Sequence, residues 1–584
     1  MKWFFEPPHG GDGSGAGLGP EDGEAGSGLI GLPTAVLQRH GARVLDPQAA
    51  EVVAGVPFGQ ATSPTVYRAR TLLVPGDLLR RPDVMLAINR VLERAGMGLV
   101  PPEEDAGEDR GEGAVFEVLR DLPQPAVLVP TGAAPVVVDA WRALQTLRAA
   151  AAGAELGQAE AVPGSRPGLD VEIVRRISLE HLLVGSAITG SPIDNGPGGI
   201  AAGPGGGDAG VGPGATDSYL FSGGDPRTPV AVLLDPPRRR PAGECRADYG
   251  RRPVVAVLDT GVRAHPWLDV TGDPGGGYGL AADGFVAVDH AIQDAVRRTG
   301  ERARQDGDRP RAVVRDPWDA PVAENPLVGE LSPALGHGTF IAGIVRQVVP
   351  DARVLAVRVI HSDDVCYEGD ILCALRHLAT RIALAEDDDL AGTVDVVSLS
   401  FGYFAESAAD LMATSGLWQA IEVLLDLGIV VVAAAGNYST SRPFYPAAFA
   451  PRAAAVQVIS VGALNPNGTK AVFSNDGTWV TAWAQGAAVV SAYPVDANAS
   501  RTPELRVRAA ARGGRESLDP DDYSGGFAVW SGTSFSAPAM AALVAGSLLR
   551  GAASGGLRLD QPGAQAARAR AAAAVASLRG EQGA

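Results

Sequence analysis

The 584-residue chain is predicted to fold as an α/β protein with a doubly wound, mainly parallel sheet, preceded by a smaller N-terminal α+β domain of ferredoxin-like form. Three observations predict this. Val254-Val255-Ala256-Val257-Leu258 is an unbroken apolar run, as expected of a parallel strand buried on both faces. Ile429-Val430-Val431-Val432-Ala433-Ala434-Ala435 is a second such run, and small residues at its end leave room for a ligand. Residues 65–185 alternate strand and helix periodicity and are followed by a glycine-rich stretch, which separates them from the larger part.

In the N-terminal part, Val66–Val74 reads as a strand, and Val84, Met85, Ile88, Val91 and Leu92 fall on one face of a helix. Ala126–Pro130 reads as a second strand, Val137, Trp141 and Leu144 as a second helical face, and Val171–Ile177 as a further strand. The domain boundaries expected are a flexible Gly-rich terminus over 1–31, the α+β domain over 32–188 and a Gly/Pro-rich linker over 189–249. The main domain then covers 250–555 and an Ala/Arg-rich tail 556–584. Gly203-Pro204-Gly205-Gly206-Gly207 neither follows a strand nor opens a helix, so it reads as linker and not as a phosphate loop.

The main domain carries the chemistry. Asp259 closes the first apolar run, at the carboxyl end of a strand where open α/β sheets place their sites. His337 precedes Gly-Thr-Phe-Ile-Ala-Gly, the start of a core helix. Ser534 precedes a long apolar segment in which Pro538 is expected to lie in the first helical turn. A hydroxyl needs an imidazole to accept its proton, and a carboxylate to fix the imidazole's tautomer and stabilise its cation. The order Asp, His, Ser is distinct from that of two other serine-hydrolase folds. A helix N-terminus at Ser534 and the side-chain amide of Asn437 could together receive a developing oxyanion.

On these segments the chain resembles the subtilisin-like serine peptidases (family S8) over about residues 250–550. Val-Leu-Asp259-Thr-Gly, Gly336-His337-Gly-Thr, Ala-Ala-Gly-Asn437 and Ser531-Gly-Thr-Ser534 are similar to the family's aspartate, histidine, asparagine and serine segments, in order. Val397-Ser398-Leu399-Ser400-Phe401-Gly402 resembles its substrate-pairing edge strand. The resemblance implies a subtilisin-like fold and a serine endopeptidase acting on peptides or proteins. Asp259, His337, Ser534 and Asn437 would be catalytic; Ser400, Phe401, Gly402, Ala433, Ala434, Ala435 and Gly436 would form the pocket walls. Departures include Pro538-Ala-Met-Ala-Ala after the serine, Ala484-Gln485-Gly486, and a charged segment near 285–325 and a polar one near 496–526 that read as insertions.

Two other function classes fit the same residues: a catalytically silent peptide-binding protein, and an esterase with the same nucleophile. Subtilase propeptides have the general form of the N-terminal domain, so it could inhibit, or alternatively recruit.

His361, His377, Cys366 and Cys373 match no zinc spacing, and Glu386-Asp387-Asp388-Asp389 lacks the pattern of a calcium loop. No cofactor is expected; calcium is compatible with the family, without an identifiable site. The net charge of −18, with no basic block, argues against nucleic acid or anionic membrane as main partner. Three cysteines give no disulfide framework, and neither a signal peptide nor a membrane span is recognised, so a cytoplasmic location is expected, with secretion the alternative by family habit.

Overall fold

The computed structural model describes residues 1–6, 31–47, 63–102, 111–132, 136–155, 169–188, 219, 226–273, 277–302, 312–319, 321–323, 325, 327–385, 393–407, 415–452, 456–509 and 513–581. The acidic run 386–389, the glycine run 203–207 and most of the 1–31 and 189–228 stretches lie outside them.

The valine-rich runs pair as expected. The main sheet has the order Trp3–Phe5, Ala482–Gln485, Ile459–Leu464, Val430–Ala434, Val396–Leu399, Val254–Asp259, Arg353–Arg358, Val286–Val288. All its pairs are parallel except the first. Val254–Asp259 comes first in sequence among the parallel strands, and its successors are laid down on both sides of it. Its carboxyl end is therefore the topological switch point, which is where Asp259 stands. The helices His337–Val348 and Thr533–Ala553 pack against each other. Among the described residues, Thr533–Ala553 is the helix long and apolar enough to cross a membrane, and it is mostly buried inside the molecule.

Strands Thr65–Val74, Met97–Val100, Gln124–Pro130 and Ser178–Gly185 form the N-terminal sheet, all antiparallel, in the spatial order fourth, first, third, second. With helices Pro82–Glu93 and Ala140–Glu155 in the crossovers, this is the β-α-β-β-α-β arrangement of a ferredoxin-like domain. Val171–Arg175 is a short helix and not a strand, because the Asp170 side chain accepts from Glu172 N and caps it; the strand begins at Ser178. Val137 is 64% exposed and precedes the helix, so it does not belong to the buried face of Trp141 and Leu144.

Three boundaries also differ from expectation. Residues 1–6 are not loose: Trp3–Phe5 adds an antiparallel strand to the edge of the main sheet, and Glu6 accepts from Trp483 Nε1 at 2.7 Å and Lys470 Nζ at 2.6 Å. Within the linker, Thr228–Pro229 pairs with the Phe527–Trp530 strand, and Ala242–Tyr249 is a helix. The tail forms a helix, Ala564–Glu581, that buries Ala571, Ala574 and Leu578 and packs on Thr533–Ala553. The two segments read as insertions also carry structure, a helix at His290–Arg302 and a hairpin of Arg506–Ala509 with Gly513–Glu516.

A buried ion pair fastens the start of two central strands. Arg251 reaches Asp395 with two N–H groups at 2.6 and 2.7 Å, and Asp395 also accepts from Val254 N at 2.9 Å. Asp395→Ala would leave the guanidinium buried without its counter-charge and should cost about 3–5 kcal/mol. Equilibrium denaturation checks this, and a loss below about 1 kcal/mol, the scale of an exposed pair, would contradict it.

Candidate active site

Asp259 and His337 meet at the switch point. His337 Nδ1 lies 2.7 Å from Asp259 Oδ1 and both side chains are buried, which fixes the tautomer with the proton on Nδ1. Nε2 is thereby left as the acceptor, with no hydrogen-bond partner among the described residues. Burial disfavours the His337 cation, but the Asp259 carboxylate and its hydrogen bond, aided by Asp364 and Asp319, outweigh it. The pKa is raised above the ordinary histidine value.

Ser534 is the second residue of its helix, and Phe535 beside it lies 5.5 Å from the His337 ring, centroid to centroid. The Ser534 hydroxyl donates to Ser400 O at 3.2 Å, so it does not face His337 Nε2 in this conformation. Pro538 falls in the second turn and not the first. Lacking an N–H, it cannot bond the carbonyl four residues back, which is that of Ser534. Ser400 Oγ donates to that carbonyl instead, at 3.1 Å, so the proline leaves no orphan acceptor.

Asn437 is oriented by its neighbours. Its Oδ1 accepts from Thr533 N and Thr533 Oγ1, both at 2.9 Å, while Thr533 Oγ1 accepts from Gly436 N at 3.0 Å. With the oxygen so engaged, Nδ2 must point the other way, and it donates to Ser186 O at 2.7 Å. Ser534 N donates to the same oxygen at 2.9 Å. Two donors thus converge on one backbone carbonyl at the N-terminus of the Ser534 helix.

That carbonyl belongs to the chain's own N-terminal domain, whose last strand runs through the cleft. Phe401 and Gly402 pair with Gly185 and Val184 on one side, and Val365, Cys366 and Tyr367 pair with Val184, Leu183 and Leu182 on the other. Ser186 N donates to Ser400 O at 2.9 Å, and beyond it Ile188 N donates to Ser531 O at 3.0 Å. Ile188 O accepts from Trp530 Nε1 at 2.6 Å. Gly532 makes the approach possible: at φ 156 a side chain there would place its Cβ 2.6 Å from Ser186 O and 2.7 Å from Ala187 Cα.

The expected pocket walls divide. Ser400, Phe401 and Gly402 meet the bound strand, but Val397, Ser398 and Leu399 belong to a central strand and not to an edge. Ala433 and Ala434 lie in a strand flanked by Val396–Leu399 on one side and by Ile459–Leu464 on the other, so their backbone is not open to strand addition. Ala435 N bonds Val461 O, and Gly436 serves the Asn437 network. Sequence reasoning missed the second edge, Val365–Tyr367, and the residues Ser186 and Asp364. The short apolar run Val365-Cys366-Tyr367, bounded by Asp364 and Glu368, was the available signal.

Among the described residues no group of three His, Cys, Asp or Glu side chains is placed to hold a metal ion. Cys366 is fully buried and its thiol is pushed up by burial, while His377 turns back on Cys373 O of its own helix at 2.9 Å.

A parallel α/β sheet with Asp, His and Ser in this order, and a strand-binding cleft between two edges, defines a serine hydrolase of the subtilisin type. The model of the subtilase family matches residues 250–558, and the chain belongs to that family, among the serine endopeptidases. It is 28% identical to subtilisin BL of Lederbergia lenta over 269 residues, 44% of this chain and 73% of that protein. It is 33% identical to thermitase of Thermoactinomyces vulgaris over 175 residues, 28% of this chain and about half (54%) of that protein. Among solved structures, fervidolysin of Fervidobacterium pennivorans aligns with 83% of this chain and 55% of its own, at 15% identity and a TM-score of 0.39.

The carboxylate's hold on His337 can be measured directly. In a Ser534→Ala background, His337 should titrate above the ordinary histidine value of about 6.5, and Asp259→Asn should lower its pKa, because burial then meets less opposition. Imidazole NMR titration reads both, and an unchanged pKa would contradict the assigned cause.

Proposed function

We propose that Ser534, His337 and Asp259 hydrolyse peptide bonds through an acyl-enzyme, and that the Ser186–Ala187 bond of the chain itself is the first bond cut. The observation that carries this reading is the Ser186 carbonyl, which sits between Asn437 Nδ2 and Ser534 N as a scissile carbonyl would.

The steps follow from the contacts. The Ser534 hydroxyl turns from Ser400 O to His337 Nε2, gives up its proton there and attacks the carbonyl carbon. The negative charge that forms on the oxygen is met by the two donors already in place, and Asp259 stabilises the imidazolium. When the carbon–nitrogen bond breaks, His337 passes the proton to the Ala187 amine. Water then attacks the Ser534 ester by the same route and leaves a carboxylate at Ser186. Strand pairing on both sides of residues 182–185 supplies binding that needs no particular side chain.

On this reading residues 32–186 inhibit by occupying the cleft. Recruitment explains the position of Ser186 less well, since a docking domain has no need to offer a carbonyl to the nucleophile. A buried polar seam supports tight seating. His181 lies 2.7 Å from Glu368 and 2.8 Å from Glu406, and His40 lies 2.8 Å from Asp363. Burial opposes the His181 cation, yet the two glutamates push its pKa up to about 10. Its contribution to seating is fully present below the ordinary pKa of about 6.5 and is lost as the pH rises through about 10.

Ser534→Ala should abolish hydrolysis of peptide substrates and labelling by a fluorophosphonate, with the fold retained. Asn437→Ala should lower turnover by roughly 10²–10³-fold, the loss that follows removal of the corresponding amide donor in subtilisin. Peptide and ester turnover measured together check the reading. Activity surviving in Ser534→Ala would remove the nucleophile, and ester turnover without peptide turnover would favour the esterase.

A further inference from the structure

The strand in the cleft also shows which sequence the site can hold. We propose that the residue immediately before the one whose carbonyl is attacked must be glycine, and that Asp364 imposes this. The preferred substrates are then peptides with apolar residues followed by glycine and a small residue at the cut. The proposal rests on the endopeptidase reading above.

Gly185 occupies that position. Its N–H donates to Asp364 O at 3.0 Å, and its other neighbour across the cleft is Phe401. A Cβ added at Gly185 would lie 2.0 Å from Asp364 Oδ1, 2.7 Å from its Cγ and 2.9 Å from its Oδ2. The three nearest atoms all belong to one carboxyl group, and all are closer than a carbon can approach.

Asp364 is poorly placed to retreat. It is 1% exposed, and its backbone stands at φ 67, in the left-handed region where Asp and Asn are tolerated better than most residues. Its own N–H is held by His361 O at 3.1 Å, and its carbonyl by Gly185 itself. The backbone is therefore tied to the very strand that the side chain screens.

The flanking positions are filled in the opposite sense. Leu182 and Leu183 are fully buried before the glycine. Beyond the cut, Ile188 is buried with Ala463, Ala471, Phe473 and Ala487. Apolar side chains are accommodated on both sides, and at Gly185 there is room for none.

The test compares the peptide Leu-Leu-Val-Gly-Ser-Ala-Ile, the sequence of residues 182–188, with its counterpart carrying alanine in place of glycine, both offered to the purified protein. The alanine peptide should show a kcat/KM lower by about 100-fold, as expected when overpacking falls on the transition state. Asp364→Gly suits the left-handed backbone and should bring the ratio below about 10, whereas Asp364→Asn, of equal volume, should keep it. In the full chain, Gly185→Ala should slow cleavage of the Ser186–Ala187 bond by a similar factor.

Equal rates for the two peptides in the unmodified protein would overturn the proposal, as would an unchanged ratio in a folded Asp364→Gly variant. If that variant does not fold, the peptide pair and Asp364→Asn still decide. Hydrolysis of neither peptide by a protein that a fluorophosphonate labels at Ser534 would also overturn it. Loss of labelling and hydrolysis together would instead count against the endopeptidase reading.

Discussion

The two hydrogen bonds that converge on the Ser186 carbonyl, from the Asn437 amide and the Ser534 backbone, are the contact on which the rest of the site depends. Each exists because of arrangements beneath it. Asn437 can donate only because Thr533 occupies its oxygen, and the Ser534 N–H is available because it lies in the first turn of a helix. Gly532 gives the strand room to approach, and Ser400 serves both sides. It accepts from Ser186 N, and its hydroxyl covers the carbonyl that Pro538 leaves open. On the proposed reading, the oxyanion donors are thus set before any charge develops, which is the condition under which such donors lower a barrier.

Much of this was legible in the sequence, for identifiable reasons. Asp259, His337, Asn437 and Ser534 each follow or open an apolar run that can only be a buried strand or core helix, so their places at element ends could be read locally. The ferredoxin-like order was accessible from periodicity, although Val171–Ile177 misled because a short capped helix mimics alternation. What could not be read were features created by pairing between distant segments. Val365–Tyr367 becomes a cleft edge only when Leu182–Val184 lies against it, and Asp364 acquires its proposed role only when Gly185 is beside it. The first six residues look like part of a glycine-rich terminus until their pairing with Ala482–Ala484 is seen.

The two halves of the molecule are joined through charge as well as through strand pairing. His181 between Glu368 and Glu406, and His40 with Asp363, put buried ionisable groups at the seam, where a mispaired register would leave a charge without a partner. Such groups add less to affinity than their number suggests, and they reject wrong arrangements strongly. On the proposed reading, that is what a self-directed substrate strand needs, because a shift of one residue would carry a different carbonyl to Ser534.

The position of Ser186 is therefore the claim to test most directly. N-terminal sequencing and intact-mass analysis of the purified chain, alongside Ser534→Ala, decide it. A new terminus at Ala187 is expected in the unmodified protein, and an uncut chain in the variant. A first cut at any other bond, or an unmodified chain that stays whole while it hydrolyses peptides, would contradict the proposed role of Ser186.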